Sequence, residues 1–122
     1  MHVSMIRAKL HQARVTHADI NYEGSIGIDT DLLDEAGLYP YEKVLVVDIE
    51  NANRLETYII PAEAGSREVS LNGAAARLVS VGDRLIIMAF AHVEAPPPAD
   101  YEPRVVVLNQ DNSVKSVKGV KE

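Results

Sequence analysis

The chain has 122 residues, no cysteine and a formal net charge of −6. That length predicts one domain, residues 1–122, with a core large enough to fold without cross-links, and the absence of thiols excludes disulfides, thiolate nucleophiles and Cys-based zinc or iron–sulfur sites. The acidic balance weighs against a surface for nucleic-acid phosphates, and no apolar run approaches the ~20 residues of a membrane span, so the expected setting is cytoplasmic, without a membrane partner.

Taken in chain order, residues 5–19 (MIRAKLHQARVTHAD) mix β-branched and long side chains with no capping signal, which predicts one or two strands. Over residues 1–24 Arg7, Lys9 and Arg14 outweigh Asp19 and Glu23, and His2, His11 and His17 fall in the same segment. A cationic stretch in an acidic protein either holds a small anion or is a solvated basic strand. Residues 30–38 (TDLLDEAGL) predict a short helix, with Thr30 as N-cap, Asp31 in the first turn and Gly37 as the stop.

Residues 42–50 (EKVLVVDIE) form a nearly continuous β-branched run, as in a strand buried on both faces. NAN at 51–53 is turn chemistry, and 54–60 (RLETYII) is the next strand. REVSL (67–71) and RLIIMAF (84–90) are further strands; between them NGAAARL (72–78) predicts a single short helical turn and SVGD (80–83) a tight turn. APPPADYEP (95–103) reads as an extended excursion, because proline fixes φ and removes ladder donors. Residues 95–122 are expected to form a peripheral extension ending in a loosely ordered tail. There is no internal repeat. Six or so strands with one or two short helices predict a mainly β fold, a small closed six-stranded barrel, since closure removes exposed strand edges.

Conventional catalytic patterns are missing. No Gly-rich phosphate loop, Walker pattern or hydrolase elbow occurs, and no His pair has metal-ligand spacing, so no metal site is expected. NYEGSIGID (21–29) offers another chemistry. The Ser25 hydroxyl can attack the carbonyl of Gly24, forming an ester in an N-to-O acyl shift. Strain in the peptide or oxyanion stabilisation must drive such a step, and glycine leaves the carbonyl open to attack. β-Elimination then converts the serine to dehydroalanine, and hydrolysis leaves an N-terminal pyruvoyl group. Taken alone, Gly-Ser is a common turn dipeptide.

Its surroundings change that reading. KLHQARVTHADINYEGSIGID, NANRLETYII and EAGSREVSLNGAAARLVSVGDRLII together resemble the aspartate 1-decarboxylase family, from about Met5 to Phe90. The resemblance implies a proenzyme that cuts itself between Gly24 and Ser25 into chains 1–24 and 25–122. It implies a double-psi β-barrel and a homotetramer with active sites between neighbours; the sequence leaves open whether a maturation factor assists. It also implies a pyruvoyl group derived from Ser25, in place of pyridoxal phosphate. That group forms a Schiff base with L-aspartate and accepts the electrons released on decarboxylation to β-alanine, for pantothenate and coenzyme A.

Roles follow by position in this resemblance. Arg54 would bind the retained carboxylate through a bidentate guanidinium. Lys9 and His11 share one strand face and would supply positive charge. Tyr58 would donate the proton to the former α-carbon. Thr57 would bond the Gly24 carbonyl during processing and contact substrate. Tyr22 would line the site, and Asn72 with Gly73, Ala74 and Ala75 would form the loop around the pyruvoyl group. On a regular strand Arg54 and Tyr58 face one way and Thr57 the other, which suits a strand running between two neighbouring sites. Two other readings stay open: a small β-barrel binding or adaptor domain, and a relative that keeps the fold without processing.

Overall fold

β-Branched runs separated by Gly, Asn and Asp turns leave the backbone few alternatives to ladders. The computed structural model, which describes residues 1–121, has nine strands: β1 (His2–Arg14), β2 (His17–Asp19), β3 (Ser25–Asp29), β4 (Lys43–Asp48), β5 (Arg54–Ala62), β6 (Val69–Asn72), β7 (Arg84–Glu94), β8 (Arg104–Leu108) and β9 (Val114–Lys118). One helix, α1 (Thr30–Ala36), and a 3-10 helix at Gly73–Arg77 complete the elements. The strands join in the order β2-β6-β3-β5-β4-β7-β1-β8-β9.

Nine strands thus replace the expected six, and the hydrogen-bonded ladder is open rather than closed. The chain connection nevertheless bends the sheet. β1 and β2 lie far apart in the ladder yet are joined through Val15 and Thr16 alone, so the sheet must curl until those regions meet. Val15 N–H donates to Asp83 O at 2.9 Å and Thr16 N–H to Val69 O at 2.8 Å, stitching the junction. Inside the curl lie Leu10, Ile26, Ile28, Ile59, Leu71, Leu85 and Ile87, all fully buried. Each such side chain contributes about 1.5–3 kcal/mol of transfer free energy. Leu32, Leu33 and Ala36 of α1 pack into the same core.

Several local expectations change. SIGID is a strand, β3, buried along its whole length between β5 and β6. β4 is not buried on both faces: Val44, Val46 and Asp48 point inward, while Lys43, Leu45 and Val47 lie outward. A single curled sheet encloses only one face, so even a central strand keeps an outer side. The helix is capped by Asp29, not Thr30. The Asp29 carboxylate accepts from Asp31 N–H at 2.8 Å, Gly65 N–H at 3.1 Å and Arg67 N–H at 2.6 Å, whereas the Thr30 hydroxyl donates to Ala62 O at 2.7 Å. Gly37 stops the helix in the left-handed region at φ 73°.

Residues 95–122 contribute two strands. β8 runs parallel to β1 with Val106 and Leu108 buried, and β9 pairs antiparallel with β8 at the sheet edge, its residues exposed. The Pro-rich excursion is pinned where the Tyr101 hydroxyl donates to Ile6 O at 2.7 Å. No described helix is long and apolar enough to cross a membrane.

Candidate active site

Ser25 opens β3 and pairs with Asn72, the last residue of β6. Paired residues share a face, so the Asn72 amide donates to Ser25 Oγ at 3.1 Å. The Ser25 hydroxyl in turn donates to Glu23 O at 3.3 Å, and the residue is only 1% exposed. The nucleophile expected from sequence is therefore buried and gripped rather than swinging in solvent.

The 3-10 helix begins flush against the residue before it. Gly73 has φ 68°, and a Cβ there would lie 2.8 Å from Gly24 Cα and N and 2.9 Å from Tyr22 O. Those contacts are backbone and cannot rotate away, and the φ is itself one that side chains resist. Gly73→Ala should thus push the Gly24–Ser25 bond out of place. We expect a loss of about 1–3 kcal/mol in a denaturant melt and a markedly slower appearance of fragments ending at Gly24.

β5 supplies the next side chains. Its Ile59–Ala62 portion pairs with β3, but Arg54–Tyr58 has only β4 beside it, leaving the other edge free. Gly24 and the 3-10 helix occupy that edge. A hollow of about 430 Å³ results, lined by Gly24, Thr57, Tyr58, Ala74 and Ala75, with Leu55, Glu56 and Leu78. Thr57 and Tyr58 face opposite sides of the strand, as alternation predicts, yet both reach the hollow because it sits at the edge. Thr57 shares the space with Gly24, although no hydrogen bond joins its hydroxyl to the Gly24 carbonyl among the described residues. Tyr58 is 37% exposed. Beside it Lys43 pairs with Glu56 at 2.8 Å, both well exposed, and Glu56 raises the Lys43 pKa through that hydrogen bond. Glu56 was missed from sequence, though its alternation with Tyr58 was the available signal.

Tyr22 is 64% exposed and lines a different, larger cavity of about 710 Å³, together with His17, Gly27, Ser70 and Asn72. Asn72 lies between that cavity and Ser25. Gly27 is needed there, because a Cβ would collide with Ser70 Oγ, which donates to Glu68 at 2.8 Å.

Arg54, Lys9 and His11 stand apart from this cluster. All three project from the outer face of the β5-β4-β7-β1 part of the sheet, on the cross-strand row Arg54, Val47, Ile86, His11 and the row beside it, Glu56, Leu45, Met88, Lys9. Arg54 is four residues from Tyr58, about 13 Å along the strand, and three strand spacings, about 14 Å, from His11. Lys9 and His11 do share a face, and a bulge at Gln12, φ 67°, follows them. Burial, then the Lys9 charge, lowers the His11 pKa, and His11 Nδ1 is buried without a partner. One chain therefore unites Gly24, Ser25, Thr57, Tyr58, Asn72, Gly73, Ala74 and Ala75, and leaves Arg54, Lys9 and His11 farther away, across the outer face that Tyr58 edges. Around those cations Leu45, Val47, Ile86 and Met88 are half-buried and Phe90 is exposed.

A family model described as aspartate decarboxylase matches residues 1–115. The chain belongs to the aspartate decarboxylase family. Aspartate 1-decarboxylase of Salinibacter ruber is 54% identical over 118 residues, covering 97% of this chain and 81% of the relative. The Coprothermobacter proteolyticus protein of the same name is 50% identical over 121 residues, 99% of both chains. That of Ralstonia nicotianae is 50% identical over 120 residues, 98% of this chain and 100% of the relative. Family membership reaches well past the three motifs, into β8 and β9.

Proposed function

We propose that the chain is a self-processing decarboxylase that converts L-aspartate to β-alanine and CO2, a step serving pantothenate and coenzyme A synthesis, with a pyruvoyl group made from Ser25. The observation that carries this reading is the junction itself: a buried serine, its oxygen held by Asn72 and its preceding glycine pressed against Gly73. The residues present fit such a group. Asn72 offers a donor at the Ser25 oxygen, and the Gly73 position leaves a space that a Cβ would fill. The pyruvoyl ketone supplies an electrophile for an amine and a sink for the electron pair left by a departing carboxylate.

The rest is the work of side chains. Asn72 holds Ser25 Oγ while it bonds to the Gly24 carbonyl carbon, and the Gly24–Ser25 C–N bond then breaks. Thr57, in the same hollow, is placed to steady that carbonyl. Ala74 and Ala75, with short side chains, leave room in the hollow for an amino acid beside Gly24. Tyr58 opens its phenol into the hollow, as a proton donor to a carbanionic carbon must. Arg54 binds the retained carboxylate, and Lys9 sets a positive surrounding, with His11, its pKa lowered, beside it.

Arg54, Lys9 and His11 lie too far from Ser25 in one chain for this chemistry. We therefore place them in the hollow of a neighbouring copy, with the outer sheet face as the contact. A contiguous half-buried apolar face on a small protein marks such an interface. A homotetramer of closed double-psi barrels satisfies both demands. Intact mass spectrometry tests the reading: two fragments split after Gly24, the larger without a free N-terminal amine, are expected. One stable species of 122 residues after prolonged warming would overturn it.

A further inference from the structure

Asp48 ends β4 and is 1% exposed, a rare place for a carboxylate. Its Oδ1 accepts from Glu50 N–H at 2.8 Å, but its Oδ2 is buried with no donor. The neighbouring carboxyl is Asp83: Asp48 pairs with Leu85, which sets Asp83 on the same face two residues away, and Asp83 Oδ2 caps the 80–83 turn by accepting from Ser80 N–H at 2.9 Å. Asp48 is buried and Asp83 half-buried, so two charged carboxylates here would repel, and a single proton between them would remove both the repulsion and the unmatched oxygen.

Asp48 roots the turn that presents Arg54, through its backbone and through Oδ1, which accepts from Glu50 N–H. Asp48 N–H donates to Asn53 O at 2.8 Å and Ala52 N–H to Asp48 O at 2.9 Å, closing the 49–53 turn. Arg54 follows at once, opposite Val47. The side-chain amides of Asn51 and Asn53 both donate to Leu78 O, at 3.0 and 2.9 Å, just past the 3-10 helix that abuts Gly24. The turn is thus fastened at one side to the Gly24 hollow and at its root to the 80–83 turn.

We propose that Asp48 is a positioning residue for Arg54, and that the proton it shares with Asp83 latches the Arg54 turn in place. The Arg54 part rests on the decarboxylase reading; the latch does not. The charged groups around it are Asp83, Glu50, Arg84 of β7 and Arg14 of β1. Arg84 binds Glu50 through two hydrogen bonds, at 2.9 and 3.0 Å, and Arg14 lies near Glu50, so neither cation is directed at the Asp48–Asp83 contact. Burial first, then the Asp83 hydrogen bond, raises the Asp48 pKa to about 6 from an ordinary 3.8. A raised carboxyl pKa favours the protonated folded state, so the latch is complete below the ordinary value and is lost as pH rises through about 6.

Asp48→Asn keeps the oxygen that accepts from Glu50 and adds an N–H that donates to Asp83 at every pH. Wild type and variant should melt alike below about pH 3.8, should already diverge at pH 5, and by pH 7.5 the variant should melt higher by on the order of 5 °C. Across the same range the wild-type KM for L-aspartate should rise about three- to tenfold, with a flat KM in the variant and a similar kcat in both. Asp83→Asn, donating from the other side, should also flatten the melting curve. Parallel melting curves for wild type and Asp48→Asn would overturn the shared proton. Diverging curves with identical KM profiles would overturn the link to Arg54. Absence of wild-type turnover would sink the decarboxylase reading instead, and the melting comparison would still decide the latch.

Discussion

Ser25→Ala is expected to leave one uncut chain with aspartate turnover at background. The side chain lost is small and already buried, so the fold should survive: Asn72 forfeits one acceptor, and β3 keeps its ladder with β6. What disappears is the oxygen that attacks the Gly24 carbonyl. Without it no ester forms, nothing eliminates and no ketone is made, so both the cut and the chemistry fail together. Removing a covalent catalytic group costs on the order of 10⁴-fold or more in rate. Mass spectrometry and CO2 release read the two consequences separately. An uncut variant that still released CO2 from aspartate would show that the electron sink lies elsewhere. A cut variant would show that cleavage needs no Ser25 hydroxyl.

Arg54→Ala should behave in the opposite way at the junction: normal cleavage, with kcat/KM for aspartate reduced about 10²–10³-fold. Arg54 lies about 13 Å along β5 from Tyr58 and touches nothing at the Gly24 hollow, so processing within a chain has no need of it. On the proposed reading turnover should need it, because a desolvated carboxylate without its guanidinium would lose a charge-assisted bidentate contact worth about 3–4 kcal/mol. Geometry adds a sharper test. If Arg54 serves a neighbour, chains carrying Arg54→Ala mixed with chains carrying Ser25→Ala should recover part of the activity, since some interfaces join an intact junction to an intact arginine. Mixed assemblies no more active than the two parents would place Arg54 outside the shared site. Unimpaired turnover in Arg54→Ala alone would move carboxylate binding to Lys9 or the 72–75 loop.

The residues carrying these predictions differ in how far sequence revealed them. Ser25 and Asn72 were named as one site although forty-seven residues part them, and the structure bonds them directly. Gly73 was read as permitting close approach, and it lies against the Gly24 backbone. Lys9 and His11 share a face, as strand alternation demands. The capping of α1 was misjudged by one residue. Thr30 and Asp29 are both good caps in sequence, and only the loop at Gly65–Arg67, brought up by the fold, tips the choice toward a carboxylate that can take three donors. Leu45 and Val47 suggested a strand buried on both faces, because an apolar side chain in sequence does not say whether it meets its own core or another surface.

By itself, then, the sequence determined the chemistry on offer at Gly24–Ser25, the family, the turns and most of the strands, since all of these reside in local pattern and short motifs. The tertiary structure alone decided where the ladder opens and how Val15–Thr16 brings its distant strands together. It also decided that β5 has a free edge at 54–58, and that Asp48 meets Asp83. Above all it separated Arg54, Lys9 and His11 from Ser25. Those are facts of register and curvature between strands far apart in the chain, and pairing partners leave no mark on the side-chain alternation of either strand.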